Sequence, residues 1–371
     1  MIRVFEPEIT KEDINSVLKT LKNKDISGSS KIVKEFEDSL CKEFSRKYAV
    51  SVSNGSVALD LSIQLLNLEE GDEVILPSHT IISCLSAVIR SKAKPVFCDV
   101  DPKSWNMTAK NVKEVITGKT KAVLLVHTYG LPVEAGKIIE LCLSHNITVI
   151  EDAAEAHGQY ESNKKCGSFG LISTLSFYAN KHITAGEGGA LLTDSRTIYE
   201  EALKMRNLDF TAEQRFKTEK LYWNYRLGGL QAALGNSQIK NLKKTIISKI
   251  SQGTVYQKLL SEYTNMFTLP LEEYNGIRNH YWVFGIVLKK DNIRDRVIKD
   301  LYDLGIETRP FFWPLHLQPS LPNNFKDQNS NLSVSENIGK NGLYIPLGSH
   351  INKKLQTKVV TNLVNTVHKY F

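Results

Sequence analysis

"VEAGKIIELCLSHNITVIEDAAEAHG", residues 133–158, passes from a helical apolar pattern into a short β-rich run, and that run stops on a carboxylate, Asp152. The same order recurs on either side. Upstream, "KIVKEFEDSLCKEFSRK" (31–47) sets Val33, Phe36, Leu40 and Phe44 at helical spacing, and "YAVSVSNGS" follows as a strand running into a small-residue turn. "EVILP" (73–77) precedes an apolar helix near 80–91, and "KPVFCDV" and "KAVLLVH" read as strands. Short apolar strands alternating with helices indicate a parallel sheet covered on both faces, the α/β class. After "GGALLTD" (188–194) the alternation stops. Residues 227–262 read as long helical material interrupted around Ser248–Gly253. "HYWVFGIVLK" (280–289), "NIRDRVIKDLYDLG" ending at Gly305, and "IETRPFF" then predict strand, helix and strand. That pattern is a small α+β appendage, and "PNNFKDQNSNLS" (322–333) reads as a polar loop.

Composition narrows the function classes. The 371 residues are 42% hydrophobic and 23% charged, the profile of a soluble globular chain with one large and one smaller domain. The five cysteines, Cys41, Cys84, Cys98, Cys142 and Cys166, are scattered without a CxxC pair, so neither a disulfide framework nor a metal site is expected, and a cytoplasmic setting fits. "MIRVFEPEITKED" lacks a basic-then-apolar signal pattern, and no apolar run approaches bilayer length, so no membrane association is expected. The net charge of +7 is spread along the chain. It suits steering of an anionic small substrate better than nucleic-acid binding.

Open α/β sheets bind ligands beyond the carboxyl ends of their strands, so the turns there carry the chemistry. In "SNGSVALDL" (53–61) Asn54, Gly55 and Ser56 stand between strand and helix, either as an ordinary N-cap or as a phosphate seat at the helix N-terminus. Asp152 is either a cap or a charge held for a ligand. In "SFYANKHITAGEGGALLTD" (176–194) the glycines match neither a dinucleotide fingerprint nor a Walker sequence, so Lys181 is not a P-loop lysine. A lone loop lysine is ordinarily surface. An amine, a carboxylate and an anion seat in consecutive turns nevertheless match what pyridoxal 5'-phosphate (PLP) requires.

These stretches, with "GDEVILPS", "WNYRLGGLQAALGNSQI" and "RPFFWPLHLQP", make the chain resemble the DegT/DnrJ/EryC1/StrS family of nucleotide-sugar aminotransferases over practically its whole length. The resemblance implies the aspartate-aminotransferase-like fold, type I of the PLP transferases. It has a large domain (1–235) with a mostly parallel, seven-stranded-type sheet and a small C-terminal α+β domain (236–371). It implies that Lys181 carries the cofactor and shuttles protons, that Asp152 pairs with the pyridine nitrogen, that Ala154 packs on the ring and that Glu155 lies near the ring hydroxyl. Gly55, Ser56 and Ser176 are implied to hold the phosphate. Asn224 is implied to reach the cofactor of a neighbouring subunit, making a homodimer with shared active sites. Ile81 stands where many relatives stack an aromatic ring, a loss of about 1 kcal/mol of stacking. Lys181 also separates the chain from the family's dehydratases, which carry histidine there.

"RPFFWPLH" looks most like the branch that aminates GDP-4-keto-6-deoxymannose with L-glutamate as donor, for surface polysaccharide. A UDP- or dTDP-keto sugar is the alternative substrate, and a non-catalytic regulatory relative is the alternative class. By the same resemblance Phe311, Trp313 and His316 are candidates for the sugar pocket, with core packing as the other reading of the aromatics. Arg226 and Arg309 are candidates for the donor carboxylate or the diphosphate, with structural ion pairs as the other reading.

Overall fold

The computed structural model describes residues 1–211, 215–326 and 331–370. Seven strands form the main sheet: β1 (Tyr48–Val52), β2 (Glu73–Pro77), β3 (Lys94–Cys98), β4 (Thr120–Val126), β5 (Thr148–Asp152), β6 (Ile172–Ser176) and β7 (Gly189–Thr193). Their order is β1-β7-β6-β5-β4-β2-β3, and β7 alone runs antiparallel to its neighbours. Successive residues of β4 serve different cores. Val123 and Leu125 pack with Phe36, Leu40 and Phe44, whereas Leu124 and Val126 pack with Leu59, Ile63 and Leu85. A strand with side chains alternating between two apolar layers has to be covered on both faces, and that requirement forces the three-layer arrangement.

The covering helices are α1 (Lys11–Lys22), α2 (Lys31–Phe44), α3 (Gly55–Gln64), α4 (Ile82–Arg90), α5 (Ala109–Val115), α6 (Ala135–Ser144), α7 (Arg196–Arg206) and α8 (Gly229–Ile239). Asn54 caps α3 by accepting the Val57 N–H at 2.9 Å. The preceding amides of α3, those of Gly55 and Ser56, have no intrahelical acceptors and lie at the carboxyl end of the sheet.

The C-terminal unit holds α9 (Leu242–Leu260), α10 (Arg294–Asp303), α11 (Ser333–Asn341) and α12 (Lys353–His368) around a sheet of β8 (Phe267–Thr268), β9 (Phe284–Leu288), β10 (Arg309–Pro310) and β11 (Gly342–Ile345). The strand order is β8-β9-β11-β10 and every pairing is antiparallel. The boundary expected after residue 235 falls inside α8. The cores change within α9 instead, for Leu242 packs under the main sheet and Tyr256 in the second cluster. The first residues also join the C-terminal unit: Ile2 N–H donates to the Gly305 carbonyl at 2.7 Å, and Leu347 N–H donates to that of Val4 at 3.1 Å.

Two expectations about single elements are corrected. The helical break expected at Ser248–Gly253 lies at Lys240–Asn241, and Gly253 sits mid-helix as clearance, because a Cβ there would stand 2.3 Å from the Tyr281 ring. "IETRPFF" forms a strand only over Arg309–Pro310, an edge position that suits a residue with no N–H to donate, and adds a single bridge from Ile306 to Ile2. Part of the polar loop expected over 322–333, residues 327–330, lies outside the described residues. Among the described residues no helix is long and apolar enough to cross a membrane.

Candidate active site

Because β1, β5 and β6 point the same way, their carboxyl ends converge, and the turns after them meet around a cavity of about 330 Å³. Gly55 and Ser56 line it from α3, Asp152 from the last position of β5, Ala154 and Glu155 from the turn after it, and Ser176 from the end of β6. Lys181 enters from the loop between β6 and β7, and Ile81 from the cap of α4. Gly55 is needed for close approach: a Cβ there would stand 2.7 Å from that of Ser176.

The charged groups are held apart from bulk water. Lys181 Nζ lies 3.4 Å from Glu155 Oε1, and each side chain keeps only 9% of its exposure. Burial pushes the Glu155 carboxyl up to about 7 against the opposing pull of the lysine charge, and its Oε2 accepts the Tyr129 N–H at 2.9 Å. Burial likewise raises Asp152. Its Oδ1 accepts the Ala154 N–H at 3.0 Å, and among the described residues its Oδ2 meets only the Cys84 thiol, at 3.6 Å. A thiol is a weak donor, so this oxygen keeps acceptor capacity for a stronger N–H.

Beneath the cavity, His127 Nε2 bonds Glu151 Oε1 at 2.9 Å, and Glu151 also accepts from the Gly167 and Phe169 amides and the Ser173 hydroxyl. His127 Nδ1 accepts the Val133 N–H at 3.1 Å, so the proton shared with Glu151 sits on Nε2.

These residues fit PLP on their own chemistry. A buried carboxylate with a free lone pair suits a pyridinium N–H, and a glycine-opened helix N-terminus with Ser56 and Ser176 suits a phosphate. A buried lysine reaches the space between them.

The other candidates lie elsewhere. Phe311 is buried beneath the cavity wall, 4.5 Å from the Tyr129 ring and 5.4 Å from Trp105 between centroids, and any Cβ on Gly285 or Gly342 would strike it. The core reading of this aromatic therefore describes its position. Trp313 is exposed away from the cavity and donates its indole N–H to the Leu317 carbonyl. His316 Nδ1 bonds Ser78 Oγ at 2.6 Å, and its Nε2 faces Glu336 at 3.5 Å. Arg309 pairs with Glu307 and Arg226 with Asn207 Oδ1, both at structural contacts. Asn224 is exposed outside this chain's own cavity, with its Oδ1 accepting the Arg226 N–H.

Sequence reading missed Tyr178, Glu187, Trp282, Phe312 and Tyr344, which line the cavity. Period-two alternation in "RPFFW" could have shown that Phe311 and Phe312 face opposite ways. Trp282 precedes its strand and carries no such signal. His182 is buried, and burial holds its ring neutral.

Residues 7–364 match the model of the DegT/DnrJ/EryC1/StrS aminotransferase family. The chain is 33% identical over 345 residues to a GDP-perosamine synthase of Escherichia coli O157:H7, covering 93% of each sequence. It superposes with a TM-score of 0.89 on a GDP-4-keto-6-deoxymannose-3-dehydratase with bound GDP-perosamine, at 26% identity over 98% of this chain and 100% of that one. A structure of that enzyme activity with a trapped PLP–glutamate geminal diamine gives 0.89 at 25% identity, over 97% and 99%. With the fold, the cavity and these relatives in agreement, the chain belongs to the DegT/DnrJ/EryC1/StrS family and is a PLP-dependent sugar aminotransferase.

Proposed function

We propose that the protein transfers the amino group of L-glutamate to C4 of GDP-4-keto-6-deoxymannose, giving GDP-perosamine for surface polysaccharide such as an O-antigen. The observation that carries the chemistry is the convergence of Lys181, Asp152 and Glu155 on one cavity whose opposite wall is the N-terminus of α3. The choice of nucleotide and sugar is supported by the GDP-perosamine synthase relative and by the GDP-perosamine held in a related fold.

PLP, when bound, supplies an electron-withdrawing ring that stabilises negative charge at the carbon losing its proton. Asp152 would orient that ring and keep its nitrogen protonated. Gly55, Ser56 and Ser176 would hold the phosphate, and Ala154 and Ile81 would cover the ring. Lys181 Nζ would hold the moving proton, and Glu155 beside it would balance the charge that the amine gains and loses. The neighbouring cavity wall of Phe312, Tyr178 and Tyr344 is the place for the sugar. Asn224, outside its own cavity, would complete the phosphate seat of a partner subunit, so the working unit is a homodimer.

Mass spectrometry of the product formed from GDP-4-keto-6-deoxymannose and glutamate tests this reading. The expected product carries an amine in place of the C4 carbonyl oxygen. No turnover of the GDP-sugar alongside turnover of a UDP- or dTDP-keto sugar would overturn the substrate assignment.

A further inference from the structure

Lys181 Nζ has a second neighbour that the proposed chemistry leaves unused. Besides its contact with Glu155, the amine stands 3.8 Å from the centroid of the Trp282 ring. This indole is 5% exposed and is fixed at three places. Its Nε1–H donates to the carbonyl of Asn180, the residue just before the lysine, at 3.1 Å. Its own carbonyl accepts from Lys249 Nζ of α9 at 2.8 Å. Its ring lies nearly parallel to those of Tyr129 and Phe312, 17° and 16° between planes. Trp282 thus reaches from the C-terminal unit to the β6–β7 loop and closes one side of the amine's position.

We infer that Trp282 is a positioning residue for Lys181, its indole face seating the ε-amine in those steps where the lysine is not joined to the cofactor. The ring face attracts the ammonium form, keeps water from that side and fixes the distance from which the amine returns to the reacting carbons. The ionisable groups around the amine are Glu155, Asp152 and His157 after β5, Lys249 on α9, and Tyr344 and Glu187 at the cavity wall. Nζ is in contact with the Glu155 carboxylate on one hand and the Trp282 ring on the other, so the seat has one ionic and one aromatic side.

The inference rests on Lys181 being the cofactor-bearing lysine, and its test separates the two ideas. Reductive ¹³C-methylation of the cofactor-free full chain places methyl groups on Nζ, and an indole face at this distance shifts their NMR signals upfield by its ring current. A signal that is upfield-shifted, and that is missing from Lys181→Ala, is the expected result. An unshifted signal, assigned to Lys181 by its absence from Lys181→Ala, overturns the inference. In Trp282→Leu, labelling of Lys181 by an amine-directed reagent should rise roughly 3- to 30-fold relative to an exposed lysine, as the ring attraction is lost. Trp282→Phe should stay within about threefold of the parent, since it keeps an aromatic face. In the holoenzyme Trp282→Leu should lose kcat roughly 10- to 100-fold with glutamate KM nearly unchanged, together with a larger isotope effect from 2-deuterated glutamate. Labelling in Trp282→Leu equal to the parent, or in Trp282→Phe equal to Trp282→Leu, overturns it. Failure of the broader reading would look different: Lys181→Ala would keep its cofactor absorption band.

Discussion

At the scale of single residues, the site divides into groups that must be charged and groups that burial keeps from charging. Asp152→Asn should leave the cofactor bound but slow transamination by more than about tenfold, or 1.4 kcal/mol in the barrier, because an amide cannot keep a ring nitrogen protonated. Stopped-flow rates of the glutamate half-reaction measure this, and a loss below about threefold would contradict the role. Lys181→Ala should abolish both the absorption band of the covalent cofactor and turnover, with the circular dichroism spectrum unchanged. Glu155 gives a sign to the pH dependence. Its carboxyl is raised from 4.5 to about 7 in the fold, chiefly by burial, so the native state holds a proton there that the unfolded chain has released. Stability of the cofactor-free protein should therefore be fullest below pH 4.5 as far as this group is concerned, and should fall by ~3 kcal/mol as pH rises to about 7. Denaturant midpoints across that range, compared with Glu155→Gln, isolate the effect; equal slopes for the two proteins would refute it.

At the scale of elements, the site depends on how closely α3 approaches the end of β6. Gly55→Ala would set a Cβ 2.7 Å from that of Ser176 and push the two apart. The expected cost is about 1–3 kcal/mol of stability, with a loss of cofactor affinity of at least about tenfold. Thermal unfolding and spectral titration with PLP read the two separately. This scale also shows where the sequence was legible. Strands with apolar neighbours on both sides, such as Val123–Val126, could be read because a doubly covered parallel sheet leaves little choice of residue. The turns after β1, β5 and β6 could be read because the chemistry they hold limits them to a few residue types. Phe311 could not be placed, since an aromatic in a cavity wall and one in the layer beneath look alike in sequence. Gly253 was taken for an interruption because the Tyr281 ring that requires it lies 28 positions later in the chain.

At the scale of the whole molecule, Asn224 is the residue whose proposed role a single subunit cannot fulfil. Asn224→Asp would place a negative charge near a partner's phosphate and should weaken cofactor binding, while Lys181→Ala should be inactive by itself. Mixed dimers of the two variants carry one site free of both changes. Unfolding and refolding them together should return activity to about a quarter of the parent level. Continued inactivity, with mixed dimers demonstrated by mass, would show that each site is built from one chain.

The pairing of the first residues has a consequence for synthesis. Ile2 hydrogen-bonds Gly305 and Glu307, and Val4 meets Leu347, so the start of the polypeptide finds its partners only when the ribosome has made most of the remainder. The amino terminus must wait, unpaired, while the main sheet assembles beside it. Docking it closes a loop of some three hundred residues, which makes that contact a late step in folding. A bulky fusion at Met1 should thus delay completion of the C-terminal unit while leaving the nascent sheet undisturbed.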